Sequence, residues 1–169
     1  PGNLFPETVE YFQGDICNPN TVNRALEGID IVYHLAAKRQ VADPSHDLRP
    51  AYRRINVDGT RNLVDAARSM GISRFVFFST IAVYGPGCEA EVVDETSPLN
   101  PQSPYAISKC EAEKIVLKAR KRDQNAPLGT VLRLAAVYGP RMQGNYASLV
   151  RAVQSRRVIL IGRGQNHRT

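Results

Sequence analysis

The chain is 169 residues long, with 43% hydrophobic and 22% charged residues, a size and composition typical of one globular domain. It has no apolar run long enough to cross a bilayer and no secretory signal pattern, so we expect no membrane partner. Three widely spaced cysteines, an odd number, predict reduced thiols and a cytoplasmic location. The three histidines are equally scattered, so no metal site is predicted.

The net charge of +6 at pH 7 raises the question of a nucleic-acid partner. The densest basic cluster, residues 118–122, falls in the last turns of a predicted helix, where cations complement the negative end of the helix dipole. No aromatic residues interleave with this cluster. The pattern therefore favours a solvated helix end, and we expect no nucleic-acid partner.

Short apolar runs alternate with amphipathic stretches along the chain, a pattern typical of an α/β fold with a parallel sheet. The predicted elements, in chain order, are a strand at 9–12, a helix at 20–27, a strand at 30–37, a loop with a short helical piece at 38–52, a helix at 56–70, a strand at 74–80, a long loop at 85–103, a helix from 104 to about 122, a strand at 129–135, a helix at 146–155 and a strand at 158–161. Gly28 and Gly71 are placed to end two of the helices, and Ser103 and Pro104 are placed to begin another.

Small residues mark the carboxyl ends of three predicted strands, at 34–37, 79–80 and 134–136. Ligands of open parallel sheets bind at these ends. Small side chains are needed where a flat ligand lies against the backbone. Three such ends in one chain predict a cofactor groove.

The strongest chemical signal is the pair Tyr105 and Lys109, which are four residues apart and so share one face of a predicted helix. An ammonium group about 4 Å away would lower the pKa of the phenol by up to about three units from its ordinary value near 10. Twenty-five residues before Tyr105 the strand at 74–80 ends, and there Thr80, or else Ser79, would hold a substrate oxygen. The set predicts proton transfer coupled to hydride transfer on a nicotinamide cofactor.

Seven motifs in a fixed order extend this pattern along the whole chain. They are Gly-Asp-Ile at 14–16, His-Leu-Ala-Ala at 34–37, Asn-Val-Asp-Gly-Thr at 56–60, Ser-Thr-Ile-Ala-Val-Tyr-Gly at 79–85, Tyr-Ala-Ile-Ser-Lys at 105–109, Arg133 followed by Val-Tyr-Gly-Pro at 137–140, and Ile-Gly-Arg-Gly at 161–164. With them the chain resembles the extended short-chain dehydrogenase/reductase superfamily, and within it the NAD-dependent epimerase/dehydratase family of nucleotide-sugar enzymes.

The resemblance implies a role for each matching position. Thr80 would be the catalytic hydroxyl and Tyr105 the acid/base, while Lys109 would lower the pKa of the tyrosine and bind the nicotinamide ribose. Further cofactor contacts are implied for Asp15 and Ile16 at the adenine, Leu35, Ala36 and Ala37 at the phosphates and ribose, Asn56 at a helix start, Ser79 at the strand end, and Leu134 and Ala135 near the nicotinamide.

The family's Gly-rich phosphate turn is missing, and its nearest match, Gly162 and Gly164, lies near the far end. We therefore expect an internal fragment of a longer enzyme, inactive and a poor cofactor binder by itself. Residues 1–140 would belong to an NAD(P)-binding, Rossmann-type domain, a doubly wound parallel sheet without its first β-α-β part. Residues 141–169 would begin a smaller substrate-binding part.

The implied function is an NAD(P)-dependent epimerase, dehydratase or reductase of a nucleotide sugar, with NAD favoured and a homodimer formed through the helices at 56–70 and 104–122. Ala136 replaces the asparagine that many nucleotide-sugar members carry. Two alternatives stay open. One is a dehydrogenase or reductase of the hydroxysteroid or dihydroflavonol type, which uses the same catalytic set, and the other is a non-catalytic regulator that senses dinucleotides.

Overall fold

Three parallel strands form the centre of the fold. The computed structural model describes residues 8–39, 47–86, 92–137, 139 and 145–157. Its sheet has the order β1–β2–β3, with β1 at Ile31–His34, β2 at Arg74–Thr80 and β3 at Gly129–Leu134. Both neighbouring pairs of strands run parallel. The predicted α/β class with a parallel sheet is confirmed.

Helices connect the strands, and short sequence signals set several of their ends. The helical segments of the described residues are α1 (Pro19–Ala25), α2 (Arg49–Tyr52), a π-helix (Arg53–Asp58), α3 (Gly59–Ser69), a 3₁₀ turn (Ile81–Tyr84), α4 (Pro104–Lys118) and α5 (Asn145–Gln154). Helix α4 begins as predicted, because Ser103 Oγ accepts a hydrogen bond of 3.1 Å from the Ala106 N–H. Gly71 follows α3 with φ +72°, a conformation that favours glycine.

The hydrophobic core lies between one face of the sheet and the helices α1, α3 and α4. Phe75 and Phe77 of β2 are each 1% exposed, and burial of such a side chain contributes about 2–3 kcal/mol. Helix α4 passes very close to the start of β3, where a Cβ on Gly129 would lie 2.6 Å from the Val116 carbonyl oxygen. A glycine at this position therefore lets the helix pack directly on the strand.

The opposite face of the sheet is open within the described part of the chain. Ile31 and Tyr33 of β1 are 42% and 63% exposed, and Leu132 of β3 is 39% exposed. Parallel sheets are usually covered on both faces, so these apolar side chains mark a surface that lacks its second layer. No helix of the described residues is long and apolar enough to cross a membrane.

Two predicted strands differ from the structure because strand formation depends on distant partners. Residues 9–12 form no strand, since the sheet of the described residues offers them no pairing neighbour, and that prediction is wrong. Strand β1 ends at His34 and not at residue 37, because the chain turns toward Asn56, whose Oδ1 accepts a 2.8 Å hydrogen bond from the Lys38 N–H. The strand predicted at 158–161 lies outside the described residues.

The helices also depart from prediction at their ends. Helix α4 stops at Lys118, four residues early, because Ala119 is extended and Arg120 bridges to Pro127. Most of the basic cluster at 118–122 therefore follows the helix. The helix predicted at 56–70 begins earlier, through α2 and the π-helix. Strand β3 and helix α5 lie within one residue of the predicted bounds.

Candidate active site

The carboxyl ends of the three strands meet at one edge of the sheet. The register pairs His34 with Phe77 and Thr80 with Leu134, so the segments after β1 and β3 flank the end of β2. The side chains that follow β1 and end β3 are exposed or half-buried: Leu35, Ala36, Ala37, Leu134 and Ala135. These side chains are accessible to solvent at the sheet edge where the cofactor groove was predicted.

The two hydroxyl residues at the end of β2 lie on opposite faces of the strand. Ser79 lies on the face that α4 covers and is 6% exposed, and its Oγ has no hydrogen-bond partner among the described residues. Thr80 is half-buried, and its Oγ1 accepts a 3.2 Å hydrogen bond from the Ala82 N–H, which caps the 3₁₀ turn. A buried hydroxyl without a partner is uncommon and costly, which makes Ser79 Oγ a candidate group for binding a ligand at this edge.

Lys109 reaches from α4 to the end of β2. Its Nζ donates a 2.6 Å hydrogen bond to the Phe78 carbonyl oxygen and lies 3.9 Å from the centroid of the Phe77 ring. The side chain is buried, and burial lowers the pKa of Lys109 to about 8, an effect that the Glu113 carboxylate opposes. The ammonium group is therefore charged at neutral pH but loses its proton not far above it.

Tyr105 stands in the first turn of α4, half-buried, with its ring edge-on to Tyr52 at a centroid distance of 6.0 Å. Burial raises the pKa of Tyr105, and Tyr52 raises it further. The predicted lowering by Lys109 is wrong for this structure, because the ammonium group binds Phe78 and Phe77 on β2. The phenol is therefore protonated at neutral pH and is a weaker acid than the side chain of a free tyrosine.

A buried histidine supports the end of β1. His34 is 3% exposed, and its Nε2 lies 2.9 Å from Thr60 Oγ1, whose hydroxyl donates a 2.6 Å hydrogen bond to the Asn56 carbonyl oxygen. Because the single hydroxyl proton is used there, Nε2 carries the hydrogen of a neutral imidazole. Burial lowers the pKa of His34 to about 3, and the Lys109 charge adds to this effect.

Asn56 lies inside the π-helix and not at a helix start, which corrects its predicted position. Its Oδ1 accepts from the Lys38 N–H, and its Nδ2 donates to the Lys38 carbonyl oxygen at 3.2 Å and to Ser108 Oγ at 2.9 Å. Both amide hydrogens are thus in use. The geometry gives Asn56 the role of holding the segment after β1 against α4.

Asp15 and Ile16 precede α1 and are held against the start of α3. Asp15 Oδ1 accepts a 2.9 Å hydrogen bond from the Cys17 N–H, and this bond, together with the nearby Arg54 guanidinium, lowers the pKa of Asp15. Ile16 packs on Gly59, where an added Cβ would lie 2.7 Å from Ile16 Cδ1. The carboxylate of Asp15 stays exposed and ionised, able to accept hydrogen bonds from a ligand.

An ion pair between α4 and β3, one helical turn after Lys109, was not predicted. Glu113 of α4 is 1% exposed, and its carboxylate accepts hydrogen bonds from Arg133 Nη2 at 2.9 Å and Nε at 3.2 Å. Arg133 Nη1 donates to Tyr84 Oη at 2.8 Å, which donates in turn to the Asp94 carbonyl oxygen. An arginine in the middle of the apolar strand β3 and a carboxylate four residues after Lys109 were the signals that could have revealed this pair.

The fold and this strand-edge site define a Rossmann-type protein of the short-chain dehydrogenase/reductase kind. The chain belongs to the NAD dependent epimerase/dehydratase family, whose family model matches residues 3–169. Members of this family are NAD-dependent enzymes, and the resemblance that the motifs indicated is confirmed.

Among curated proteins, the chain is 35% identical to a UDP-glucose 4-epimerase of Vibrio cholerae, over 83% of this chain and 43% of the relative. It is 30% identical to a 3beta-hydroxysteroid-dehydrogenase/decarboxylase of Arabidopsis thaliana, over 94% of this chain and 36% of the relative. The UDP-glucose 4-epimerase of Thermus thermophilus, solved as a complex with NAD, superimposes with a TM-score of 0.68 at 34% identity, covering 82% of this chain and 45% of that one. The chain thus spans less than half the length of these relatives.

Proposed function

We propose that the chain forms part of a longer NAD-dependent epimerase, dehydratase or reductase that acts on a nucleotide sugar. The observation that carries the proposal is that Ser79, at the end of β2, lies on the face that α4 covers, where Lys109 of α4 binds the neighbouring Phe78 carbonyl oxygen at 2.6 Å. In this proposal residues 1–140 belong to the dinucleotide-binding domain, and residues 141–169 begin the substrate-binding part.

The residues present fit a bound dinucleotide. Ser79 offers a buried hydroxyl without a partner among the described residues, and exposed small side chains beside it leave room for a flat ring. When bound, NAD would supply the acceptor and donor of hydride. The further contacts that we propose for it are Asp15, Ile16, Leu35, Ala36, Ala37, Tyr105, Lys109, Leu134 and Ala135, while Asn56 would serve the cofactor site by holding the segment after β1 in place.

The catalytic roles follow from the chemistry of three side chains. Thr80 would hold the reacting sugar oxygen by a hydrogen bond, since its bond to the Ala82 N–H uses an acceptor site and not the hydroxyl proton. Tyr105 would pass a proton to and from that oxygen. Lys109 would bind the ribose hydroxyls and supply positive charge when its ammonium group leaves the Phe78 carbonyl.

The full-length protein tests the acid/base role through Tyr105→Phe. Turnover on a panel of nucleotide sugars should fall by about 10²–10⁴-fold, the contribution typical of general acid–base catalysis, with NAD affinity nearly unchanged. Tyr33→Phe, on the open face of the sheet, is the matched control and should keep full turnover. Retained turnover in Tyr105→Phe would remove the phenol from the reaction.

A second candidate is a hydroxysteroid or dihydroflavonol dehydrogenase, which the similarity to the plant hydroxysteroid relative favours. The same hydroxyl, phenol and ammonium groups would serve that reaction. Assays of the full-length protein with nucleotide sugars beside steroids separate the two, because each substrate class should support turnover only in its own case.

Two finer features are also proposed. The cofactor would be NAD and not NADP, in line with the NAD held by the Thermus relative. A homodimer would form through α3 and α4, which, with the π-helix before α3, enclose a groove lined by Val57, Val64, Ile115 and several charged residues.

A further inference from the structure

We propose that Glu113 and Arg133 are positioning residues for the Tyr105–Lys109 pair. Arg133 joins helix α4 to the turn that follows Thr80, and Glu113 places a counter-charge on the face of α4 that carries Lys109. The inference deepens the proposed function and rests on it for its catalytic meaning. Its structural part, the effect of the Glu113 charge on the Lys109 pKa, can be measured whatever the substrate is.

One guanidinium group connects three elements of the site. Arg133 leaves β3 with 16% of its side chain exposed, and its Nε and Nη2 donate to Glu113 on α4. Its Nη1 donates to the hydroxyl of Tyr84, and its Cζ lies 5.0 Å from the centroid of that ring. Tyr84 ends the 3₁₀ turn that Thr80 caps. A shift of α4 would therefore be transmitted through Arg133 to the turn beside the catalytic hydroxyl.

The charges around Lys109 make Glu113 important. On α4, Glu113 lies one helical turn after Lys109 and so on the same face. From β1, His34 faces the lysine as a neutral ring, because burial lowers its pKa to about 3. From β3, Arg133 pairs with the Glu113 carboxylate at 2.9 Å. Among the described residues facing this lysine, Glu113 supplies the negative charge that opposes the effect of burial on the Lys109 ammonium.

The decisive experiment follows the Lys109 side chain itself. In the full-length protein with ¹³C-labelled lysine, the Cε signal of Lys109, assigned by its loss in Lys109→Arg, is titrated in wild type and in Glu113→Gln. The midpoint should fall by about one pH unit, and the alkaline limb of turnover should move down with it. Glu111→Gln is the matched control, because Glu111 pairs with Arg53 at 3.1 Å on the exposed face of the same helix, and it should leave the midpoint in place.

Tyr84→Phe tests the link between Arg133 and the turn while keeping the buried ion pair. Loss of one hydrogen bond should lower kcat about three- to tenfold with KM and the Lys109 midpoint unchanged. The Tyr84→Phe variant still tests the inference if Glu113→Gln does not fold. A folded Glu113→Gln with the wild-type midpoint, or a Tyr84→Phe with the wild-type kcat, overturns the inference. If the wild-type protein turns over no substrate, the proposed function fails. The Lys109 titration alone then shows whether Glu113 acts as the counter-charge of Lys109.

Discussion

Adjacent hydroxyl side chains at the end of β2 meet very different surroundings. Thr80 caps the 3₁₀ turn, so its oxygen already stabilises the native backbone. Ser79 is buried on the other face, where its hydroxyl has lost water and gained no partner among the described residues. Such a group costs about 1–3 kcal/mol in the folded state. A ligand that accepts or donates a hydrogen bond there would recover that free energy.

Ser79→Ala should therefore separate stability from binding. The free energy of unfolding should stay within about 0.5 kcal/mol of wild type or rise, while NAD affinity should fall about three- to tenfold. Chemical unfolding and cofactor titration measure the two quantities. Ser108→Ala is the matched control: this buried serine accepts from Asn56 and donates to the Tyr105 carbonyl oxygen, so its removal should cost about 1–2 kcal/mol. A destabilised Ser79→Ala with unchanged NAD affinity would contradict the assignment.

Lys109 shows what residue spacing can and cannot predict. The four-residue interval correctly places Tyr105 and Lys109 on the same helix, but it does not say which acceptor the ammonium group finds. In the structure that acceptor is the Phe78 carbonyl oxygen, 31 residues away in sequence. A hydrogen bond to a charged group is worth about 1.5–3 kcal/mol, so movement of Lys109 toward the phenol must offset this loss. Whether the Tyr105 pKa is raised or lowered therefore depends on the tertiary contact that Lys109 makes, which residue spacing does not show.

At the scale of elements, β1 and α3 are joined through the buried His34–Thr60 hydrogen bond. The imidazole also packs against Phe75 and Phe77, at ring-centroid distances of 5.9 and 5.4 Å. Protonation would place a charge in this apolar space beside Lys109. The folded state therefore keeps His34 neutral at pH values where the unfolded chain has already bound a proton.

This difference gives a pH dependence of known sign. The unfolded His34 has a pKa near 6.5 and the folded one a pKa of about 3, so its contribution is complete above pH 6.5 and is lost as pH falls toward 3. Within that window the free energy of unfolding should fall by up to about 1.4 kcal/mol per pH unit. Urea unfolding at several pH values measures the slope.

His34→Gln should reduce the slope of unfolding free energy against pH by up to about 1.4 kcal/mol per pH unit, the contribution of one bound proton. Thr60→Val is the control, because it removes the hydrogen bond at every pH and keeps the titrating ring, so the slope should persist. Equal slopes in wild type and His34→Gln would show that another group governs the acid stability.

Local signals predicted elements well where the deciding contacts are close in sequence. Ser103 and Gly71 each form their deciding contacts with residues no more than four positions away. Helix α4 accordingly begins after Ser103, and α3 ends before Gly71. The strand predicted at 9–12 failed because a strand needs a neighbour, and the early end of α4 follows from the bridge between Arg120 and Pro127. The ion pair of Glu113 with Arg133 likewise joins residues twenty positions apart, so the sequence draws attention to each charge but does not show that the two pair.

For the molecule as a whole, the open face of the sheet has a measurable effect. Ile31 and Tyr33 of β1 and Leu132 of β3 present apolar surface on either side of β2, and exposed apolar surface promotes association. The 169 residues expressed alone should bind a hydrophobic dye and form large assemblies, while the full-length protein should bind no dye and associate no further than the proposed homodimer. Sedimentation and dye fluorescence measure this. Leu132→Lys should reduce both signals in the isolated chain, and a dye-free, monodisperse isolated chain would contradict the prediction.

The sheet face that the described residues leave open is also a surface on which a second polypeptide could pack. A separate polypeptide that carries the covering helices could dock on the bare β1–β3 surface, because most of the association energy would come from apolar area already presented there. If the proposed function holds, two inactive parts of the full-length protein, mixed together, would recover turnover by associating through this sheet surface.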